Sequence, residues 1–300
     1  MKNLKNNKYV IREPKYQASM PAHDGEVIGP GYPVIMGSGI LPEAKAWACP
    51  VMAYGTEESA RMIESGKMSH AGSHIHEYDE CYLFLGEEGA VTYEITLGTD
   101  VYTVGTPSAV WIPARLPHGF RVLSHAEGKF GGMCPICFSR EYATKPVPEN
   151  PLVLEDTRHL IVEGYQWASN IPSHNEGIGG KGFPMLMSGD LVPEAKCWIC
   201  PTLLENTPEL CLAINSGMSP AAKPHTHTDD EMYLILGEEN ASVIRIQLDD
   251  EFYTVVPPAA VYVPAGVVHS IEAVYATPQK WGGSCAVFLG KDYITYPTEK

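Results

Sequence analysis

The segment His74-Ile75-His76-Glu77-Tyr78-Asp79-Glu80 carries the residue types from which a metal site is built. Two histidines one residue apart on extended backbone project their imidazoles from the same face, because strand side chains alternate with period two. Glu80 keeps the even spacing and leads into the β-rich run Cys81-Tyr82-Leu83-Phe84-Leu85, closed by Gly86. Three donors on one side of a sheet call for a fourth, and His118 offers it just beyond the apolar run Val110-Trp111-Ile112-Pro113. Three imidazoles and a carboxylate are borderline-hard ligands, which suit Fe(II) or Mn(II), with Ni(II) and Zn(II) as further choices. Four protein ligands leave two positions open on an octahedral ion. These have room for a chelating substrate, or for one substrate oxygen beside O2 or water. Such an ion is a Lewis acid toward a bound carboxylate, enol or carbonyl.

The set then recurs. His225, His227, Glu231, Gly237 and His269 each lie 151 residues after His74, His76, Glu80, Gly86 and His118. An offset held over so many landmarks marks an internal duplication. One His-x-His pair alone reads as ordinary surface or core histidine; two complete sets read as up to two metal centres per chain. Of the 11 histidines, eight stand at positions shared by both halves, and six of those are the expected ligands.

The elements that hold these residues follow from the same duplication. Three hundred residues divide into two domains of usual size, residues 1–150 and 151–300, each with its own metal site. Gly31 to Pro50 and Gly182 to Pro201 share 10 of 20 residues, and Tyr9-Val10-Ile11 matches Leu160-Ile161-Val162 as a lead-in strand. Short apolar runs are divided by turn chemistry at Gly86-Glu87-Glu88-Gly89, Gly98-Thr99-Asp100 and Asp249-Asp250. Many short strands with frequent turns predict an all-β chain of closed barrels or jelly rolls. The join, Thr144 to Pro151, carries three prolines and is expected to be short and stiff.

Composition narrows the function further. A net charge of −15 repels phosphate backbones, so no nucleic-acid partner is expected. The N-terminal lysines and asparagines lack an apolar core segment, and no run approaches the ~20 apolar residues that cross a bilayer. A cytoplasmic location away from membranes is the expectation. Cys134-Pro-Ile-Cys137 and Cys197-Trp-Ile-Cys200 have CxxC spacing, but neither pair is kept in both halves. Buried free thiols packing as small hydrophobes are expected there.

Tyr82 and Tyr233 stand two residues after the liganding glutamates, so their phenols should face the metal side as hydrogen-bond partners or general acids for substrate. They are the candidate catalytic residues. His23 and His174 are also shared, and are read as turn residues; Lys45 and Lys196 are read as surface lysines. The first half has Arg61, Lys67, His70, Tyr93 and Arg115 where the second has Leu212, Met218, Ala221, Ile244 and Gly266. From this the first site is expected to be the more polar and reactive.

The residues Gly66, His74, His76, Glu80 and Gly86, and again Gly217, His225, His227, Glu231 and Gly237, resemble the first motif of the cupin superfamily. Pro264, Gly266 and His269 are similar to its second motif; Pro113 and His118 follow it too, with Arg115 in place of the glycine. The resemblance covers nearly the whole chain. It implies two tandem cupin double-stranded β-helix barrels, a bicupin, with a centre of three histidines and one glutamate in each. It also implies a small-molecule substrate and a homo-oligomer. For activity it implies a metal-dependent enzyme acting on a small carboxylate, diketone or phenol, foremost a dioxygenase-type oxidoreductase. A redox-neutral decarboxylase, isomerase or lyase using Mn, Ni or Zn, or a non-catalytic binding protein, are the alternatives. Oxalate decarboxylase is a specific comparison that ranks low, because no arginine stands beside the His-x-His in the expected style. Storage cupins usually lose the ligands that are intact here.

Overall fold

The computed structural model describes residues 4–168, 171, 173–174, 182–218 and 221–298. Within these, the period-two alternation of the sequence becomes antiparallel sheet. Strand Val91–Leu97 buries Val91, Tyr93, Ile95 and Leu97, and leaves Thr92, Glu94 and Thr96 half-exposed. Strand Glu80–Gly86, by contrast, is buried along its whole length. It lies between Ser108–Ile112 and Phe130–Cys137, and both of its edges are hydrogen-bonded. A central strand of this kind reads as a continuous apolar run.

The chain divides into two compact units, residues 15–164 and residues 1–14 with 165–300. They differ from the halves 1–150 and 151–300 by an exchange of edge strands. Val10–Ile11 pairs with Ala259–Val263 and so completes a sheet of the later unit. Ile161–Glu163 pairs with Ser108–Ile112 and completes a sheet of the earlier one. An apolar strand next to an open sheet edge satisfies the edge backbone groups whatever its place in the sequence.

Each unit is built on two large antiparallel sheets, with a two-stranded one beside them (Lys15–Gln17 with Tyr32–Val34, and Gln166–Ala168 with Phe183–Met185). In the unit 15–164, one sheet runs in the order Ile161–Glu163, Ser108–Ile112, Glu80–Gly86, Phe130–Cys137, Trp47–Ala48. Its companion runs Asp100–Gly105, Val91–Leu97, His118–His125, His70–His74, His23–Asp24. The unit 1–14/165–300 repeats this. One sheet runs Val10–Ile11, Ala259–Val263, Glu231–Gly237, Trp281–Phe288, Trp198–Pro201, and the other Glu251–Val255, Ser242–Leu248, His269–Ala276, His225–Thr226, Tyr296–Pro297. This is the all-β jelly-roll architecture expected. Two short helices, Glu57–Glu64 and Pro208–Asn215, occupy equivalent places. Among the described residues no helix is long and apolar enough to cross a membrane.

Left-handed backbone recurs at equivalent positions of the two units. Gly86 and Gly237 hold φ of +121° and +122°. A Cβ on either would lie 2.3 or 2.2 Å from the carbonyl oxygen of Phe130 or Trp281. Arg115 and Gly266 hold φ of +68° and +77° in the loop before the last histidine. The Arg115 N–H donates to the His76 carbonyl at 2.7 Å, as the Gly266 N–H does to His227 at 2.9 Å. The arginine thus follows the path that glycine takes without penalty.

Gly86→Ala and Gly237→Ala combine left-handed backbone with an overlap against main chain. Each should lower the unfolding free energy by about 3 kcal/mol or more in urea titration. Arg115→Gly should raise it by about 0.5–1 kcal/mol, the left-handed cost relieved less the extra chain entropy of glycine. Gly266→Arg should do the reverse.

Candidate metal centres

Three strands and one returning segment build the first centre. His74 ends strand His70–His74, and Ile75 beyond it is paired both ways with Lys145, at 3.0 and 2.9 Å. That bridge holds the backbone from which His76 projects. Glu80 opens the central strand, and His118 opens strand His118–His125, directly opposite His74 in register. The loop leading to His118 is pinned by Asp79, whose Oδ1 accepts the Ala114 N–H at 2.9 Å. Asp230 does the same for Ala265 at 2.8 Å, and also accepts the Tyr262 hydroxyl at 2.5 Å.

The structure brings the four side chains of each set together. His74, His76 and His118 form one cluster of buried donor atoms, and His225, His227, Glu231 and His269 form the other. In the first, Glu80 Oε2 lies 3.3 Å from His76 Nε2 and 3.1 Å from His118 Nε2. In the second, Glu231 Oε2 lies 3.6 and 3.0 Å from the Nε2 atoms of His227 and His269. All eight residues are buried.

The other ring nitrogens show why these atoms suit a cation. His74 Nδ1 donates to Gly72 O at 2.8 Å, His76 Nδ1 to Ala143 O at 2.7 Å and His118 Nδ1 to Leu116 O at 2.8 Å. His225, His227 and His269 donate likewise to Lys223, Ile294 and Val267, at 2.6, 2.7 and 3.0 Å. A carbonyl only accepts, so each Nδ1 carries a proton, and Nε2 is the atom each ring turns inward, bare whenever the ring is neutral. The Nε2 atoms of His74 and His76 are 3.3 Å apart, and those of His225 and His227 3.1 Å. Glu80 Oε2, Glu231 Oε2, His118 Nε2 and His269 Nε2 have no hydrogen-bond partner. Buried acceptors aimed at one point without a donor are costly unless a cation joins them. The donor set fits a divalent transition ion.

Electrostatics agree. Burial, with the neighbouring His118, lowers His74 to about 3, and burial with His269 lowers His225 to about 3. Both stay neutral, as ligands must be. Burial opposes charge on His76 and His227 too, but the close carboxylates of Glu80 and Glu231 outweigh it and raise both. The two carboxylates resist the cost of burial through the same histidines and fall well below the usual range.

Tyr82 and Tyr233, the candidate catalytic residues, are fully buried, and their hydroxyls have no hydrogen-bond partner. Burial and then the adjacent glutamate raise both well above an ordinary phenol, so each stays protonated. Tyr82 lines a cavity of about 260 Å3 that reaches Glu80, and Tyr233 lines one of about 110 Å3 that reaches Glu231.

His23 is not the turn residue expected. It sits on a short strand paired with His70–His74, lines the first cavity, and its Nε2 is 3.0 Å from the Tyr142 hydroxyl. Burial lowers it to about 4. His174 lines the second cavity, its ring centre 5.6 Å from that of His225. Sequence patterning does not single out Tyr142, 3.5 Å from His74 Nε2, or its counterpart Tyr293, although they obey the same 151-residue offset. All eight cysteines are free and seven are buried, Cys200 being half-buried. Cys137 does more than pack, because its thiol donates to Glu80 Oε1 at 3.2 Å. Of the five polar residues particular to the first half, Tyr93 alone lines the cavity. The expectation of a more polar first site draws no support from Arg61, Lys67 and Arg115, which are exposed. Lys45 and Lys196 are exposed as well.

The sequence matches no family model, and no curated protein matches it. Solved structures do resemble it. AerE from Microcystis aeruginosa shares 13% identity over 94% of this chain and 99% of its own, with a TM-score of 0.51. Bacillus subtilis oxalate decarboxylase shares 10% over 94% and 81%, with a TM-score of 0.52. Pumpkin seed globulin shares 7% over 97% and 88%, with a TM-score of 0.53. The chain has the bicupin fold, and each barrel holds a cluster of three histidines and one glutamate of metal-ligand type. The fold is shared by decarboxylase and seed globulin, so it does not select an activity.

Metal binding should be pH-dependent with a definite sign. The raised His76 and His227 hold protons that a metal must displace, whereas His74 and His225 hold none. Affinity should therefore climb with pH through the raised values and level off above them. Calorimetry in buffers of different ionisation enthalpy should show proton release that fades over the same range. In the metal-free protein the sign is opposite. The stability contributed by the His76 and His227 pairs is complete below about pH 6.5, and is lost as pH rises through the raised values. Affinity independent of pH between about 5.5 and 8 would contradict the raised His76 and His227.

Proposed function

We propose that this chain is a metal-dependent bicupin enzyme acting on a small molecule with oxygen donors, foremost as a dioxygenase-type oxidoreductase. One observation carries the reading: six imidazoles spend Nδ1–H on backbone carbonyls and turn Nε2 inward beside a buried, partnerless carboxylate oxygen. His74, His76, Glu80 and His118 would hold one ion, and His225, His227, Glu231 and His269 the other. Iron or manganese suits the donors, with nickel or zinc as further choices. When bound, a divalent ion there supplies Lewis acidity toward a substrate oxygen.

The protein's own groups define the rest. The Tyr82 phenol, buried and held protonated, donates a hydrogen bond to a substrate oxygen placed near Glu80. His23 and Tyr142 form a hydrogen-bonded pair on the wall near His74 and orient a substrate edge. Cys137 occupies one oxygen of Glu80, which leaves the other for the ion. Among the described residues, no lysine, arginine or aspartate lines the first cavity, and Glu80 is its only glutamate. The absence of a further carboxylate favours oxygen chemistry over proton shuttling by an acidic pair. The second reading, a redox-neutral decarboxylase, isomerase or lyase, is favoured by one observation: the structurally similar Bacillus subtilis oxalate decarboxylase contains Mn(II) centres.

The test begins with elemental analysis of protein purified without added metal. The wild type should hold about two ions per chain, and His74→Ala and His225→Ala should each lose one. Oxygen uptake with catechols, diketones and hydroxy acids then separates the readings. Tyr82→Phe should lower kcat/KM at least tenfold with metal content unchanged. Turnover without oxygen consumption would replace the dioxygenase by the redox-neutral reading. Absence of bound metal would overturn both.

A further inference from the structure

The first cavity says more about its ligand than the metal ligands do. An apolar cavity of roughly 150 Å3 takes up benzene. At about 260 Å3, the first cavity has room for one ring with substituents, whereas the second, at about 110 Å3, does not. Four methionines, Met20, Met52, Met68 and Met133, line it together with Phe120 and Tyr93. Thioethers beside aromatic edges form an adaptable wall that favours a flat, polarizable ring. Its polar lining consists of the carboxylate of Glu80, the partnerless and fully buried hydroxyl of Tyr82, the His23–Tyr142 and Tyr32–Ser69 hydrogen-bonded pairs, His125, and the phenols of Tyr16 and Tyr93. Without a lysine or arginine among the described lining residues, only the metal would compensate an anionic ligand, and a compact dianion would remain undercompensated in an apolar enclosure.

We infer that the first barrel takes a ligand made of two chelating oxygens joined to a single apolar ring, neutral or singly charged, and that the second barrel does not. The chelating end belongs beside Tyr82 and the ring among the methionines. This inference rests on the metal-dependent reading for the chelating end only; the ring preference follows from the cavity.

The test compares three probes on the whole chain, loaded with zinc and freed of excess metal, by titration calorimetry. Pentane-2,4-dione has the chelating head without a ring, 1-phenylbutane-1,3-dione adds the ring, and oxalate is a compact dianion. The phenyl diketone should bind at least tenfold more tightly than pentanedione, with oxalate weakest. His225→Ala should keep this preference. Met52→Lys, in the methionine wall, should reduce it to threefold or less with zinc content unchanged. Val122→Phe, which narrows the same cavity, should do likewise and serves if the lysine variant fails to fold. Chelator-stripped protein should bind all probes more weakly yet still prefer the ring. Equal affinity for the two diketones, or oxalate binding tightest, would overturn the inference while leaving the metal centres intact. If the wild type takes up no zinc, the metal reading falls, and the ring preference of the stripped protein still decides the cavity's selectivity.

Discussion

Both centres depend on one repeated hydrogen bond, from an imidazole Nδ1–H to a main-chain carbonyl. It fixes which nitrogen is bare, which way the ring turns, and that the lone pairs converge. Four of the six carbonyls lie two residues before their histidine, at Gly72, Leu116, Lys223 and Val267, so the adjoining backbone supplies them. The other two, from Ala143 and Ile294, come from 67 residues away. The middle histidine of each set is thus oriented only when the segment after the last long strand folds back across the barrel mouth. The same segment supplies Tyr142 and Tyr293. Barrel closure and ligand orientation are one event.

The duplication gives two centres with like donors and unlike surroundings. At the first, a thiol holds one oxygen of Glu80, and the cavity beyond is roomy and rich in methionine. At the second, Phe288 stands where Cys137 would be, and the cavity is smaller, with Cys200 and the ion-paired Glu272 on its wall. Outer contacts of this kind tune a metal's affinity and reactivity even when the ligands are identical. The difference lies in packing and in one sulfur, not in surface charge.

Much of this is legible in the sequence, and the rest is hidden for identifiable reasons. Period-two spacing and the 151-residue offset place the ligands on strands in duplicate, because strand geometry leaves few alternatives. Tyr142 and Tyr293 share that offset but lie in a segment without strand patterning, where nothing local shows that it folds back on the site. His23 lies in a stretch rich in turn residues; its pairing with His70–His74 is a long-range choice that periodicity does not reveal. Arg115 conceals a glycine-like backbone, since side-chain identity reports φ only when the residue is glycine or proline. The edge strands Val10–Ile11 and Ile161–Glu163 read as lead-ins to the unit that follows each in the chain. Partner choice at an open edge is settled by geometry in three dimensions.

That exchange of edge strands bears on how the chain matures during synthesis. The ribosome makes Val10 and Ile11 before either barrel, yet the sheet edge they occupy is made only when Ala259–Val263 emerges. The arm must wait through the synthesis of all the intervening residues as an unpaired apolar segment. The barrel of residues 15–164, in turn, lacks its last strand until Glu163 has left the exit tunnel. N-terminal domains usually fold first during synthesis. Here residues made ahead of both barrels are among the last to find their place.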